Sequence, residues 1–140
     1  IDHTEVRQIQ ELRVLVEGHA AEMAARGRTD EDLDRLSECL ERGRASSLAE
    51  DYPSASDWHR DFHFALVRAA GNPFLTPILD PLRHRTELVF TMVVNERGRI
   101  AWDEHEAIYE SVKAQDAEGS SKLVCQHILN ALKTFISPDH

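Results

Sequence analysis

Only six glycines and five prolines interrupt 140 residues, so wherever the apolar residues keep a helical period this chain is constrained to long helices. They keep it almost throughout. Over residues 4–27, Ile9, Leu12, Val16, Ala20 and Met23 recur at spacings of three and four, an apolar stripe on a helix that Gly27 stops. A second helix is expected after Thr29, a good N-cap, with Asp30, Glu31 and Asp32 at the positive end of its dipole. It buries Leu33, Leu36 and Leu40 and ends before Pro53. Ser54 or Ser56 can cap a third helix running to Ala70, where Gly71 supplies a left-handed stop and Pro73 forbids continuation. The fourth begins near Pro73 or Phe74 and turns Leu75, Ile78, Leu79, Leu82, Leu88 and Val89 inward, with Pro77 and Pro81 stepping its first turns. Asn95 to Arg99 reads as a loop. A fifth helix, about 101–115, buries Trp102, His105, Ile108, Tyr109 and Val112. After a turn near Gly119, a sixth buries Leu123, Val124, His127, Ile128, Ala131, Leu132 and Phe135. No stretch alternates with period two. The pattern predicts an all-α fold of six helices, antiparallel neighbours on short connections, in one domain over residues 1–140.

Charge narrows the partners. Sixteen Lys+Arg against 25 Asp+Glu leave a formal net charge of −9, which disfavours both phosphate backbones and anionic membrane surfaces. No run of 18 apolar residues occurs, and the opening residues lack the basic and apolar regions of a signal peptide. The chain starts without Met and almost directly in an amphipathic pattern, so an upstream part is expected to be missing. Cys39 and Cys125 sit among apolar neighbours at helical spacing and read as buried reduced thiols of a cytoplasmic protein.

Eight histidines are an unusual count, and four of them fall on apolar stripes. His59 and His63, four residues apart, share one face of the third helix with Leu66 and Ala70. His105 lies in the stripe 105, 108, 109, 112, and His127 in the stripe 124, 127, 128, 131. A buried imidazole without a partner costs on the order of 1–3 kcal/mol. One divalent metal gives all four a common partner, and helix-bundle interiors are built to hold such sites. The all-nitrogen set favours zinc or nickel. The sequence has no HExxH, GxSxG, P-loop or GxGxxG, no His preceded three residues earlier by Glu, and no inward carboxylate expected beside the metal to act as a base. The remaining histidines, His3, His19, His84 and His140, read as incidental or solvated.

The segment from His59 to Leu66, which contains Phe62-His63-Phe64-Ala65-Leu66, followed by Ala69-Ala70-Gly71-Asn72, resembles the FHxAL…AxGN signature of the FadR C-terminal (FCD) domain. That domain is the effector-binding half of FadR-type GntR transcriptional regulators. Arg13, Glu17, Ala20, Ala21, Ala24 and Ala25 resemble its R-x-x-x-E…AA-x-x-AA opening, and Glu104-His105 with the later His127 its closing EH…H. The similarity covers about residues 5–135. It implies an antiparallel bundle of six to seven helices around a central polar cavity, and a divalent metal held by His59, His63, His105 and His127. Where many members have Asp or Asn, this chain has His59. The resemblance further implies a small carboxylate effector, with Arg13 and Asn72 as its contacts, a homodimer, and DNA binding only through an N-terminal winged helix-turn-helix absent from this chain. A competing reading is a small all-α metal-dependent enzyme using the same histidines.

Overall fold

A computed structural model describes residues 2–137, so His140 lies outside the described residues. Six helices follow one another: α1 (His3–Gly27), α2 (Asp30–Leu48), α3 (Tyr52–Ala69), α4 (Leu75–Arg97), α5 (Arg99–Lys113) and α6 (Ala117–Phe135). No strand occurs among the described residues. The connections are short because each helix end carries its own stop or start. Thr29 and Asp32 form a capping box at α2, and Asp116 accepts a hydrogen bond from Gly119 N at α6. Gly71 has the left-handed backbone expected of it, with φ of 72°.

Three boundaries differ from the sequence reading. The cap of α3 is Asp51 rather than a serine: its Oδ1 accepts from Ser54 N at 3.3 Å, and Pro53 occupies the first turn, where no N–H is needed. Gly119 lies inside α6, because Gln115, at φ 58°, already makes the turn. The expected loop at 95–99 is a single residue. Gly98, at φ 51° and ψ −122°, breaks one helix and starts the next in a conformation closed to side chains with a Cβ.

The most extensive packing is α1 on α6 and α2 on α3. Small residues allow the first: Ala20, Ala21, Ala24 and Ala25 are buried. The main core cluster draws on α1, α2, α3, α5 and α6, with Leu36, Phe62, Ile108 and Ile128 at its centre. α4 contributes nothing to it. Phe90 and Val93 join a cluster near the chain ends, and Leu75 and Leu79 one beside α1 and α3. Between those two contacts α4 stands away from α3, and there a cavity opens.

The buried face of α1 is rotated from the expected stripe. Leu12 and Met23 are exposed, and Gln10, Arg13 and Glu17 point inward instead. A polar face can be buried here because its groups satisfy one another across the interior. Ile78, Leu88 and Leu123, also expected inside, are on the surface for a related reason: their helices turn Thr86, Phe90 and His127 to the interior.

One close approach has a measurable consequence. A Cβ on Gly43 of α2 would stand 2.0 Å from the ring of Trp102, itself 1% exposed. Alanine in a helix ordinarily gains about 1 kcal/mol over glycine, but a buried ring cannot yield that far. Gly43→Ala is expected to cost about 1–3 kcal/mol net, read from the urea midpoint. The emission of Trp102 should change with it.

Candidate functional site

Helices α3, α5 and α6 bring four imidazoles to one point. One ring nitrogen from each of His59, His63, His105 and His127 lies within 4.8 Å of the other three. His63, His105 and His127 are buried and His59 is half-buried at the edge. The rings pack face to face and edge to face, with His105 and His127 centroids 4.6 Å apart and the edge of Trp102 against His105. All four helical phases read from the sequence hold.

The cluster fits a cation better than it fits itself. Nδ1 of His59, both ring nitrogens of His63 and Nδ1 of His105 are buried without a hydrogen-bond partner, an arrangement that costs about 1–3 kcal/mol per group. A void of about 20 Å³ lies beside His59, His63 and His127, enough for one small ion or water. The Nε2 atoms of His105 and His127 are 3.1 Å apart. Ligands on one ion at about 2.0–2.1 Å stand roughly 3–4 Å from each other, so the set needs only sub-ångström closure to hold a divalent metal. Burial pushes all four imidazoles below their ordinary range, and each ring repels charge on the next. His63, further depressed by Arg83, falls to about 3, while His59 and His105 are lowered by burial and then by neighbouring histidines. His127 is also lowered by burial, although Glu104 opposes the shift. Neutral imidazoles are the form that binds a metal.

Two carboxylates stand behind the ring cluster. Glu104 of α5 accepts from His127 Nδ1 at 2.7 Å and from Asn130 Nδ2 at 2.8 Å, and Arg97 at the end of α4 also donates to it. With its proton on Nδ1, His127 presents a bare Nε2 to the interior. Burial alone would raise Glu104, but its hydrogen bonds from His127, Arg97 and Asn130 win and hold it near 2. The other is Glu17 of α1, 1% exposed. Arg13 Nε donates to it at 2.6 Å, Arg83 Nη2 donates to its other oxygen, and His63 Nδ1 stands 3.4 Å away, poorly aligned for a hydrogen bond. Against the opposing effect of burial, these cations keep Glu17 well below the usual carboxylate range. The expectation of no inward carboxylate is therefore corrected. Even so, Glu17 clamped between two guanidiniums is a poor base.

Arg13 and Arg83 both reach a cavity of about 480 Å³ between α3 and α4, whose inner wall is His59. Arg13 was expected here only from the family resemblance, its helical stripe having placed it outside. Arg83 was read only as a flank of His84, although its spacing from Leu79, Thr86 and Phe90 places it on the inward face. Asn72 is not brought to this site. It is exposed in the α3–α4 turn, where its Oδ1 accepts from Phe74 N at 3.0 Å, so a backbone amide occupies the side chain expected to meet an effector. His84 is exposed at the cavity mouth, 3.8 Å from Glu87. His3 packs on Phe135 and His19 is exposed. Cys39 is a buried free thiol and Cys125 a half-buried one.

Known proteins share this arrangement of helices. The chain is 26% identical over 134 residues to the HTH-type transcriptional repressor NanR of Cronobacter sakazakii, covering 93% of this chain and 51% of the repressor. It is 25% identical over 133 residues to the HTH-type transcriptional regulator LutR of Bacillus subtilis, covering 90% of this chain and 60% of that protein. The chain thus spans about half to three-fifths of the relatives it matches. Both are named for regulating transcription and neither for catalysis, in keeping with the absent nucleophile motifs. In fold, it superposes on Streptococcus agalactiae GntR with a TM-score of 0.80 at 20% identity, over 93% of this chain and 58% of that one. Escherichia coli McbR/YncC gives 0.82 at 20% identity, over 92% and 66%. The model of the FCD domain matches residues 8–130, and with the six-helix bundle already described this places the chain in the FCD domain family.

Proposed function

We propose that this is the metal-dependent, effector-sensing and dimer-forming domain of a cytoplasmic GntR-type transcriptional regulator of the FadR subfamily, responsive to a small carboxylate. The observation that carries the reading is the convergence of four imidazoles, with His63 and His105 holding buried unpartnered nitrogens, beside a cavity floored by two arginines. A bound zinc or nickel ion would supply a Lewis-acidic attachment point next to that cavity. His59, His63, His105 and His127 would hold it, tying α3, α5 and α6 together. Arg13 and Arg83 present guanidinium N–H groups suited to a carboxylate. Glu17 keeps both arginines oriented until the effector arrives. No helix among the described residues is long and apolar enough to cross a membrane. The −9 charge is in keeping with DNA contact being made by a separate winged helix-turn-helix domain. Exposed Ile78, Leu88 and Met92 on α4 support pairing with a second copy. Regulation then follows from the effector's differential affinity for two arrangements of the dimer.

Metal analysis tests this directly. The purified chain is expected to carry close to one equivalent of metal and to lose thermal stability on chelation. Fewer than about 0.2 equivalents, with a melting temperature unmoved by chelator, would sink the metal site. His63→Ala should lower metal occupancy and the melting temperature together; a fall in the melting temperature alone would make His63 a core residue only.

Glu104 tests the same site from outside. A carboxylate that fixes the tautomer of a ligating histidine is worth roughly 10–100-fold in metal affinity. Glu104→Gln is expected to weaken zinc binding by that factor in a chelator competition while leaving helicity unchanged. Unaltered affinity would mean that the surrounding packing orients His127 without the carboxylate.

A further inference from the structure

Resting on the carboxylate-sensor reading, we propose that the effector is a monocarboxylate with an apolar, ring-sized body, rather than a dicarboxylate or a polyhydroxylated acid. At about 480 Å³ the cavity is within the range of small-molecule sites and far larger than a bare carboxylate needs. Its available positive charge, the metal position behind His59 included, lies at the inner end. Arg13 and Arg83 form the floor with Glu17 between them, their side chains 9% and 12% exposed. Above them the wall is aromatic: Phe64 and Phe90 face the space, and the Arg83 guanidinium lies 5.7 Å from the centre of the Phe64 ring. Of its three lining hydroxyls, those of Ser56, Thr86 and Thr91, one is engaged by backbone and one is closed to solvent. Thr86 Oγ1 donates to the Leu82 carbonyl at 3.1 Å, and Ser56 Oγ is buried away from solvent. A polyol would find few partners there.

The mouth has the opposite sign from the floor. Asp57, Asp80 and Glu87 line it. The cation at the mouth, Arg60, is already shared among Asp57 at 3.5 Å, Asp61 at 3.7 Å and Glu87 at 3.5 Å. An acid that holds one carboxylate at this inner end and carries a second across a ring-sized body would point the second into this ring of negative charge. Exposed like charges discriminate modestly, by roughly three- to tenfold together, whereas each buried methylene-sized group gains about fourfold. The apolar body therefore dominates affinity and the rim sets the rejection of dianions.

The experiment is calorimetric titration of the zinc-loaded chain with acetate, phenylacetate, 4-carboxyphenylacetate and gluconate. Phenylacetate is expected to bind at least tenfold more tightly than acetate, and 4-carboxyphenylacetate, the same body with a second charge, three- to tenfold more weakly than phenylacetate. Asp57→Asn with Glu87→Gln, both on the exposed rim, should recover most of that loss without touching the fold. Binding of 4-carboxyphenylacetate or gluconate as tight as that of phenylacetate overturns the proposal, as does a rim variant that leaves the ratio unchanged. If the chain holds zinc and none of the four acids binds, the carboxylate reading falls and this inference with it. If the chain does not take up zinc, the metal site is what fails, and titration of the metal-free chain with the same acids still decides the preference.

Discussion

Taking the metal-free chain from pH 7 to pH 5.5 is expected to lower folding stability by about 1 kcal/mol for each strongly depressed histidine, a substantial fraction of what a domain of this size has. All four clustered histidines have folded-state pKa values lowered by burial, His63 to about 3 from an ordinary 6.5. Below pH 6.5 the unfolded chain binds protons that the folded chain refuses, so stability falls with falling pH. The slope approaches about 1.4 kcal/mol per pH unit for each histidine. The loss for His63 continues until pH falls through about 3. Glu17 and Glu104 add to it later. Their lowered pKa values stabilise the fold above the ordinary 4.5, a contribution lost as pH falls through the folded-state values, near 2 for Glu104. Urea midpoints measured at half-unit intervals of pH check the prediction. A flat profile between 7 and 5.5 would show that the imidazoles take up protons without unfolding. With saturating zinc the whole profile should lie higher while its descent still begins near pH 6.5, because the folded imidazoles are already unprotonated and it is the unfolded chain that takes up protons.

Glu17→Gln is expected to cost about 3–5 kcal/mol, the penalty for breaking a buried ion pair from one side. Glu17 pairs with both Arg13 and Arg83, and the substitution leaves two largely buried guanidiniums facing each other. For a domain of this length that corresponds to a fall of roughly 10 °C or more in melting temperature by calorimetry. Removing the charges together separates repulsion from packing. Glu17→Met combined with Arg83→Met should cost less than the sum of the single changes by at least about 1 kcal/mol. Additive costs would mean that the pair contributes volume rather than charge balance. A loss under about 1 kcal/mol for Glu17→Gln would show that solvent reaches the arginines.

The helices and the four histidines were legible because a histidine in an apolar stripe violates its own pattern, and period alone reveals it. His59 and His63 needed only the spacing of four, and His105 and His127 the stripes around them. The phase of α1 was not legible. Its inward face carries Gln10, Arg13 and Glu17, residues that a hydrophobic period assigns to water, and their burial is stabilised by Arg83 and His63 on other helices. The role of Glu104, named only as part of the EH…H motif, was hidden for the same reason. Its partners Arg97, His127 and Asn130 lie on two other helices, so no single helix records the bond. Arg83 could have been found from its register with Leu79 and Phe90, but the adjacent His84 drew the reading outward. Asn72 has a local use: an asparagine after glycine and before proline is well placed to close a turn on its own backbone, and its Oδ1 accepts from Phe74 N there.

The separation of α4 from the main apolar cluster has an energetic meaning. Because Leu36, Phe62, Ile108 and Ile128 pack without it, displacing the middle of α4 forfeits none of that cluster's burial, and its two ends are tethered by small groups of side chains instead. The domain is thus divided into an apolar frame that fixes the four imidazoles and a wall, carrying Arg83, whose middle is held by ion pairs from Glu17, Arg60 and Glu5 rather than by that frame's packing. Work done on the wall by an occupant of the cavity can be delivered along α4 to whatever surface it presents, at little cost to the frame.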